Sequence, residues 1–373
     1  MKKGNYFFTS ESVTEGHPDK VCDQISDGIL DACLRQDPYS RVAVECLITT
    51  NKLVIAWEVT TKAEVDYVKV AKEVLADIWY TSQEAWFDKD TADIEVLVHT
   101  QSPDIAQGVD VWWAGDQGIM FWYASNESEC FLPKSLEYAN SLAFLLARAR
   151  KTGAIPYLFP DGKTQVTVEL NRKGEPERID TIVISAQHKA WITQEQICKD
   201  IRKYVISPVF APVLIEDTKI YINPTGSFVV WGPAGDTWVT WRKIIVDTYW
   251  GGWRHWGGAF SWKDPTKVDR SAAYMARFLA KNIVENALAD RCEIQLSYAI
   301  WVAQPVSIFI EDFWTAKVDK ERIIDYIRKH YDLSPNGIID FLDLRRPIYR
   351  QTAAYGHFWP VSYPWEKSEH WEL

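Results

Sequence analysis

The chain is short of glycine and lacks any long apolar run. Its 373 residues include 18 glycines and 19 tryptophans, although glycine ordinarily supplies about 7% of a protein. No apolar stretch is long enough to span a bilayer, and residues 1–6 are not followed by the apolar segment of a secretion signal. We therefore expect a cytoplasmic protein with no membrane partner.

An excess of positive charge is also absent. The 41 basic residues are outnumbered by 51 acidic ones, which gives a net charge of −10 at pH 7. This balance argues against nucleic acid as a partner, but it allows an anionic small ligand, which depends on local basic clusters. The cysteines lack metal-type spacing, which favours reduced thiols in the cytoplasm; they are Cys22, Cys33, Cys46, Cys130, Cys198 and Cys292.

Apolar periodicity predicts a similar unit three times along the chain, in which helices accompany pairs of alternating strands. Helices are predicted over residues 21–34, 65–78, 136–150, 197–205, 270–287 and 320–330. Strands are predicted over residues 42–48, 53–60, 94–99, 165–170, 178–185, 293–300 and 306–310. Because each unit can bury one sheet face, the pattern indicates an α+β protein of three similar domains packed into one body.

Three segments are too polar and too dense in special residues for ordinary connections: 15–20, 116–118 with 160–163, and 223–270. Residues 15–20 place an imidazole, a carboxylate and an ammonium group at the start of a helix, where free N–H groups attract phosphate. A helix cap with charged neighbours explains that segment equally well. Residues 223–270 hold seven glycines, six Lys or Arg residues and four acids, which favours a Mg²⁺-polyphosphate site over a solvated loop. Residues 116–118 and 160–163, taken alone, are typical of turns.

Several longer motifs resemble those of S-adenosylmethionine synthetases. They are TSESVTEGHPDK at 9–20, QSPDI at 101–105, AGDQG at 114–118, KDPTKVDRS at 263–271, ADRC at 289–292 and TAAYGHF at 352–358. The resemblance runs from Phe8 to about Lys367. It implies three similar α+β domains in a pseudo-threefold arrangement with mixed sheets, which we place at 4–104, 112–231 and 232–367.

The resemblance also implies a reaction. The sulfur of L-methionine would displace the whole triphosphate of ATP from the ribose C5′, and the tripolyphosphate would then be hydrolysed to phosphate and diphosphate. The implied cofactors are two Mg²⁺ per site and K⁺. The implied assembly is a homodimer or homotetramer whose active sites are shared between subunits.

Site residues follow from the resemblance position by position. The implied catalytic residues are His17, Lys163, Arg242 and Lys263. ATP would be held by Asp161, Lys163, Phe228, Arg242, Lys243, Ala259 and Lys263. Methionine would be oriented by Glu58, Gln101, Asp236 and Lys267, Mg²⁺ bound by Asp19 and Asp269, and K⁺ bound by Glu45. Considered without its motif, Phe228 is as typical of a core residue as of a residue that stacks on adenine. Glu45, considered in the same way, is typical of a surface acid in a strand.

Fourteen tryptophans stand where the resemblance implies glycine. They are Trp57, Trp79, Trp86, Trp113, Trp122, Trp231, Trp238, Trp241, Trp250, Trp256, Trp262, Trp301, Trp314 and Trp359. One hypothesis is that the host reads UGA codons as glycine and that these codons are translated here as tryptophan. The other is that the tryptophans are real, in which case they crowd a phosphate site and strain positions that need positive φ.

Two other functions stay open at this point. The first is an inactive subunit that binds and regulates a synthetase, although nearly all the charged site residues are present. The second is a generic ATP-dependent kinase or ligase, for which the sequence carries no motif of its own.

Overall fold

The computed structural model describes residues 4–100, 113–210, 217–249, 251–359 and 362–373. The α-helices are α1 (Pro18–Leu34), α2 (Tyr67–Ile78), α3 (Lys134–Lys151), α4 (Gln194–Ile201), α5 (Ser207–Phe210), α6 (Val268–Glu285), α7 (Lys320–His330) and α8 (Pro335–Phe341). The strands are β1 (Tyr6–Val13), β2 (Arg41–Thr49), β3 (Lys52–Thr60), β4 (Thr81–Ser82), β5 (Phe87–Asp88), β6 (Asp93–His99), β7 (Gly118–Ser125), β8 (Leu158–Leu170), β9 (Pro176–His188), β10 (Lys219–Ile222), β11 (Trp238–Val239), β12 (Arg291–Tyr298) and β13 (Ser307–Glu311). A π-helix, Arg202–Ile206, joins α4 to α5.

The α+β prediction is confirmed, and every predicted helix and strand has an observed counterpart. One predicted helix, 197–205, is divided between α4 and the π-helix. The elements that were not predicted are strands β1, β4, β5, β7, β10 and β11 and helices α5 and α8. The boundaries 4–104, 112–231 and 232–367 stay a prediction.

Each of the three larger sheets takes one strand from another part of the chain. Their orders are β1-β8-β9-β10, β11-β2-β3-β6 and β13-β12-β7. Strand β1, from the first third of the chain, belongs to the sheet of β8 and β9 from the middle third. Strand β7, from the middle third, belongs to the sheet of β12 and β13 from the last third. Strand β11, from the last third, belongs to the sheet of β2 and β3 from the first third. Two of these sheets contain a parallel pair beside antiparallel pairs and are therefore mixed as predicted, whereas β13-β12-β7 is antiparallel throughout.

Helix α1 lies in the interior, and every one of its residues is buried. It starts at His17, whose ring accepts the N–H of Asp19, and Pro18 occupies the first helical turn, where proline is well tolerated. Val21, Ile25 and Ile29 belong to the main core. Since charged groups are rarely buried without partners, the acidic residues of α1 must be paired inside the protein.

Seven tryptophans adopt positive φ, which bulky L-residues rarely do. They are Trp57 (107°), Trp79 (75°), Trp86 (66°), Trp241 (71°), Trp262 (76°), Trp301 (66°) and Trp314 (55°). Half of the fourteen non-glycine residues with positive φ in the described ranges are therefore tryptophan. All seven stand at positions where the resemblance implies glycine, and no described tryptophan outside that set shares the feature. The backbone therefore favours the glycine hypothesis.

No helix within the described ranges is both long and apolar enough to cross a membrane.

Candidate functional site

The segment before α1 is fixed against the start of β8. The N–H of Thr14 donates to the carbonyl of Gly162 at 2.9 Å. A Cβ at Gly16 would lie 2.3 Å from the backbone carbonyl of Pro160, so only glycine allows this approach. These contacts bring Asp161 and Lys163, which the sequence places in a separate motif, to the neighbourhood of His17.

His17 is the centre of a positively charged cluster. Its side chain is buried, and burial, followed by the nearby charges of Lys243 and Lys163, holds its pKa well below the usual 6.5. Its Nδ1 accepts the N–H of Asp19 at 3.3 Å. The neutral ring therefore carries its proton on Nε2, which makes that nitrogen a hydrogen-bond donor.

Two further predicted residues reach this cluster from the segment after β11. Lys243 Nζ lies 2.6 Å from Asp19 Oδ2, and the N–H of Val239 donates to Asp19 Oδ1 at 3.2 Å. Arg242 donates to the carbonyl of Thr237 at 3.1 Å and adds its charge to those that depress the His17 pKa. The cluster thus gathers three cations at the N-terminus of a helix, an arrangement suited to an anion.

Asp161 and Phe228 both contact residues 231–232, near the cluster. Asp161 is 2% exposed, and its Oδ2 accepts the N–H of Gly232 at 3.0 Å, while Oδ1 has no partner among the described residues. Burial raises the pKa of Asp161 to about 7. The ring of Phe228 stacks on Trp231 at 4.3 Å and 10°. An unpaired buried oxygen and an aromatic ring that contact neighbouring residues are features that suit a flat ligand with a polar edge.

Asp161→Asn is expected to stabilise the ligand-free protein more at high pH than at low pH. Because the folded pKa is about 7 and the ordinary value is 3.8, the folded state holds a proton that the unfolded state releases between these values. Stability therefore falls as pH rises toward 7, and the gain from Asn grows by about 3 kcal/mol between pH 5 and pH 8.

Urea unfolding of both proteins at the two pH values measures this difference. Asp340→Asn, which changes an exposed carboxylate, is the control and is expected to show no such growth. A gain at Asp161 that is equal at pH 5 and pH 8 contradicts the prediction.

A second cluster of predicted residues lies around the N-terminus of α6. Lys263 Nζ is 2.5 Å from Asp269 Oδ2, and Lys267 Nζ is 2.5 Å from Asp264 Oδ2. Next to buried Ala259, a Cβ at Gly258 would lie 2.8 Å from a carboxylate oxygen of Asp269. The backbone therefore approaches this carboxylate as closely as glycine permits.

Glu45 and Glu58 belong to the sheet beside this second cluster. Ala43 forms a bridge with Lys263 and lies opposite Glu58 in the β2–β3 pair. Burial raises the pKa of Glu45, while Lys263 acts in the opposite direction. One oxygen of Glu45 accepts the indole N–H of Trp241 at 3.1 Å.

The predicted site residues therefore form two groups. The first group consists of His17, Asp19, Asp161, Lys163, Phe228, Arg242 and Lys243. The second group consists of Glu45, Glu58, Ala259, Lys263, Lys267 and Asp269. In the described parts of the chain, no hydrogen bond or ion pair joins a side chain of one group to a side chain of the other. Asp236 is exposed near the first group and accepts the N–H of Thr237 at 2.7 Å. Gln101 lies outside the described residues.

The predicted metal ligands are likewise dispersed. Over the ranges that the structure describes, no three His, Cys, Asp or Glu side chains are gathered as a metal site. Asp19 and Asp269 each pair with a lysine instead. Mg²⁺ is often held by one or two carboxylates together with substrate phosphates, so single carboxylates beside lysines fit such an ion.

Four tryptophans at implied glycine positions contact residues of these two groups directly. Trp231 covers a face of Phe228, and Trp241 occupies an oxygen of Glu45. Trp238 meets His17 edge-on at 5.0 Å, with Arg242 above its ring at 5.4 Å. Lys263 lies 5.0 Å above the ring of Trp262. The indoles thus fill space next to the cations that an anionic ligand would contact.

Sequence reasoning missed the carboxylates that hold the cation-bearing segments. Asp23 accepts the N–H of Trp241 and Asp27 that of Trp262. The available signal was the recurrence of aspartate every four residues along an otherwise apolar helix.

Comparison with protein-family models identifies the chain. The N-terminal domain of S-adenosylmethionine synthetase matches residues 5–103, the central domain matches 112–228 and the C-terminal domain matches 230–367. The three matches follow one another in order and together span nearly the whole sequence. The chain therefore belongs to the S-adenosylmethionine synthetase family, whose members are transferases that make S-adenosylmethionine.

Proposed function

We propose that this chain, with glycine at the fourteen positions, joins ATP and L-methionine to form S-adenosylmethionine and then hydrolyses the tripolyphosphate to phosphate and diphosphate. We call this version the glycine form, and the printed sequence the tryptophan form. The observation that carries the proposal is the gathering of Lys163, Arg242 and Lys243 around neutral His17 at the N-terminus of α1.

The chemistry requires a stabilised leaving group rather than a base. The methionine sulfur supplies an electron pair to C5′, and the C5′–O bond breaks with its electrons passing to the triphosphate. A thioether has no proton to lose, so the product is a sulfonium. Catalysis then depends on positive charge and donors arranged beforehand around the triphosphate.

The first group of residues can provide that arrangement. Arg242 and Lys243 would neutralise phosphate oxygens, and Nε2–H of His17 would donate to an oxygen near the breaking bond without adding charge. Asp161 and Phe228 would hold the nucleoside, with the unpaired Oδ1 accepting a hydroxyl or amino donor.

The family uses Mg²⁺ and K⁺, and we propose as their ligands the residues that the sequence motifs imply. Asp19 and Asp269 would each contribute a carboxylate to Mg²⁺, and Glu45 would contribute one to K⁺. When bound, Mg²⁺ neutralises charge on the polyphosphate. The lysines now paired with Asp19 and Asp269 would then be free to contact phosphate.

The second group would complete the site from another subunit. Lys263, Lys267 and Asp269 make no side-chain contact with the first group in the described residues, although all are implied for one reaction. Self-association as a homodimer or homotetramer would let the second group of one chain face the first group of its partner. Asp236, Lys267, Glu58 and Gln101 would orient methionine there.

The test is an assay of the glycine form with ATP, methionine, Mg²⁺ and K⁺ that follows S-adenosylmethionine, phosphate and diphosphate. All three products are expected. Lys263→Met is expected to lower the rate about 100- to 1,000-fold, because one preorganised charge contact is lost. Lys317→Met removes a half-exposed lysine outside both groups and is the matched control, with no expected change.

The opposite result is equally informative. A glycine form that folds and self-associates but yields none of the three products overturns the proposal. The inactive regulatory subunit then becomes the better explanation of the chain.

A further inference from the structure

Helix α1 carries a row of four buried aspartates that hold backbone segments from the last third of the chain. Asp19, Asp23, Asp27 and Asp31 recur every four residues, so they lie along one side of the helix. Each accepts at least one backbone N–H from a residue beyond position 238. The row therefore connects the α1 interior to segments that are more than 200 residues away in sequence.

Asp23 holds the segment that carries Arg242. Its Oδ1 accepts the N–H of residue 241 at 2.9 Å, and φ of that residue is 71°. Its Oδ2 lies 3.0 Å from Lys20 Nζ, which is itself 2.5 Å from Asp247. The carboxylate is thus fixed from one side by a buried lysine while it fixes the turn directly before Arg242.

Asp27 holds the segment that carries Lys263 in the same way. Its Oδ1 accepts the N–H of residue 262 at 3.1 Å, and φ of that residue is 76°. Arg270 donates to both oxygens of Asp27 at 2.7 Å. It also donates to the carbonyl of Lys263 at 3.0 Å, so the backbone is held on both sides of the turn.

Polar groups connected to the two holding points approach each other in the interior. Arg270 Nε donates to the Tyr274 hydroxyl at 3.0 Å, and that hydroxyl lies 2.7 Å from His357 Nδ1. His357 Nε2 approaches Asp247, the partner of Lys20, at 3.8 Å. Because all these groups are buried, relaxation at either holding point disturbs partners that water cannot replace.

We propose that Asp23 and Asp27 are positioning residues that set the place of Arg242 and Lys263 through the backbone N–H of residues 241 and 262. In each case a buried carboxylate fixes a left-handed turn, and the next residue is a cation of the proposed site. A displacement of about 1 Å at such a cation can lower the rate about 100-fold. The roles of Arg242 and Lys263 rest on the proposed function, whereas the backbone contacts do not.

Asp31 supplies a matched control. It is buried in the same row and accepts the N–H groups of Tyr349 and Arg350, both at 2.9 Å, but that segment carries no proposed site residue. Asp23→Asn, Asp27→Asn and Asp31→Asn would be compared in the glycine form at pH 8. Thermal unfolding, amide hydrogen exchange by mass spectrometry and kcat would be measured for each.

We expect Asp23→Asn to accelerate exchange at position 241 and Asp27→Asn at position 262, with kcat about 100-fold lower in both. Asp31→Asn should accelerate exchange at 349–350 and keep kcat within about twofold of the parental value. We expect this even if its melting temperature falls as far as that of the Asp23 and Asp27 variants. Folded Asp23 and Asp27 variants with parental exchange at these positions, or with no greater loss of kcat than Asp31→Asn, overturn the proposal.

Two results separate this proposal from the proposed function. If the glycine form itself makes no S-adenosylmethionine, the function fails, and the exchange data alone decide whether the carboxylates fix the turns. If Asp27→Asn does not fold because Arg270 loses its buried partner, Asp23→Asn decides the question.

Discussion

Glycine at the seven positive-φ tryptophans is expected to raise the free energy of unfolding by roughly 9 kcal/mol, because strain of about 2 kcal/mol per residue is removed and the flexibility of glycine takes back only about 0.75 kcal/mol per residue. The substitutions are Trp57→Gly, Trp79→Gly, Trp86→Gly, Trp241→Gly, Trp262→Gly, Trp301→Gly and Trp314→Gly. Since natural domains are stable by only about 5–15 kcal/mol, this strain is comparable to the whole stability. Urea unfolding measures the gain.

The control is a tryptophan without the backbone signal. Trp191 is 75% exposed and does not have positive φ, so Trp191→Gly is expected to lower stability by up to about 1 kcal/mol. A sevenfold variant that is less stable than the tryptophan form contradicts the glycine hypothesis. Sequencing the tryptic peptide 255–263 from the native host tests the same hypothesis chemically, and tryptophan at positions 256 and 262 would refute it.

Retaining Trp231 in an otherwise glycine form is expected to weaken ATP binding about 10- to 100-fold. The indole stacks on Phe228 at 4.3 Å and 10°, which is the face proposed for adenine, and stacking of a base on an aromatic side chain is worth about 1–3 kcal/mol. Isothermal titration with ATP, compared between the form that retains Trp231 and the glycine form, measures the difference.

Two comparisons show whether stacking on Phe228 is the cause of the weaker ATP binding. Retaining Trp314 instead, which is 97% exposed, should leave ATP affinity unchanged. In a Phe228→Ala background, the effect of Trp231 should nearly disappear, because there is no longer a ring face to compete for. Equal weakening with and without Phe228 contradicts a shared stacking face.

Local structure followed the sequence closely because it depends on neighbouring residues. The apolar repeat that predicted 21–34 corresponds to α1, and the alternation at 42–48 and 53–60 corresponds to β2 and β3. The segment 15–20, for which we propose phosphate binding, also stood out, since its charged groups lie within a few consecutive residues. The glycine positions were visible only through the family motifs, and the backbone angles then gave them a physical reason.

The missed strands show what only the tertiary structure decided. Strands β1, β7 and β11 pair with strands far along the chain, and a strand gains its stability from such pairing and packing more than from its own pattern. The same long-range contacts place Asp161 beside Gly232 and residues 241 and 262 beside α1.

By itself, then, the sequence determined the secondary structure of most of the chain, the family motifs and the identity of the candidate site residues. The tertiary structure decided which of those residues share a cluster, which carboxylates hold their backbone, and which tryptophans occupy left-handed turns. The holding carboxylates of α1 depend on contacts with residues 241 and 262, more than 200 positions away, and no local pattern encodes such a contact.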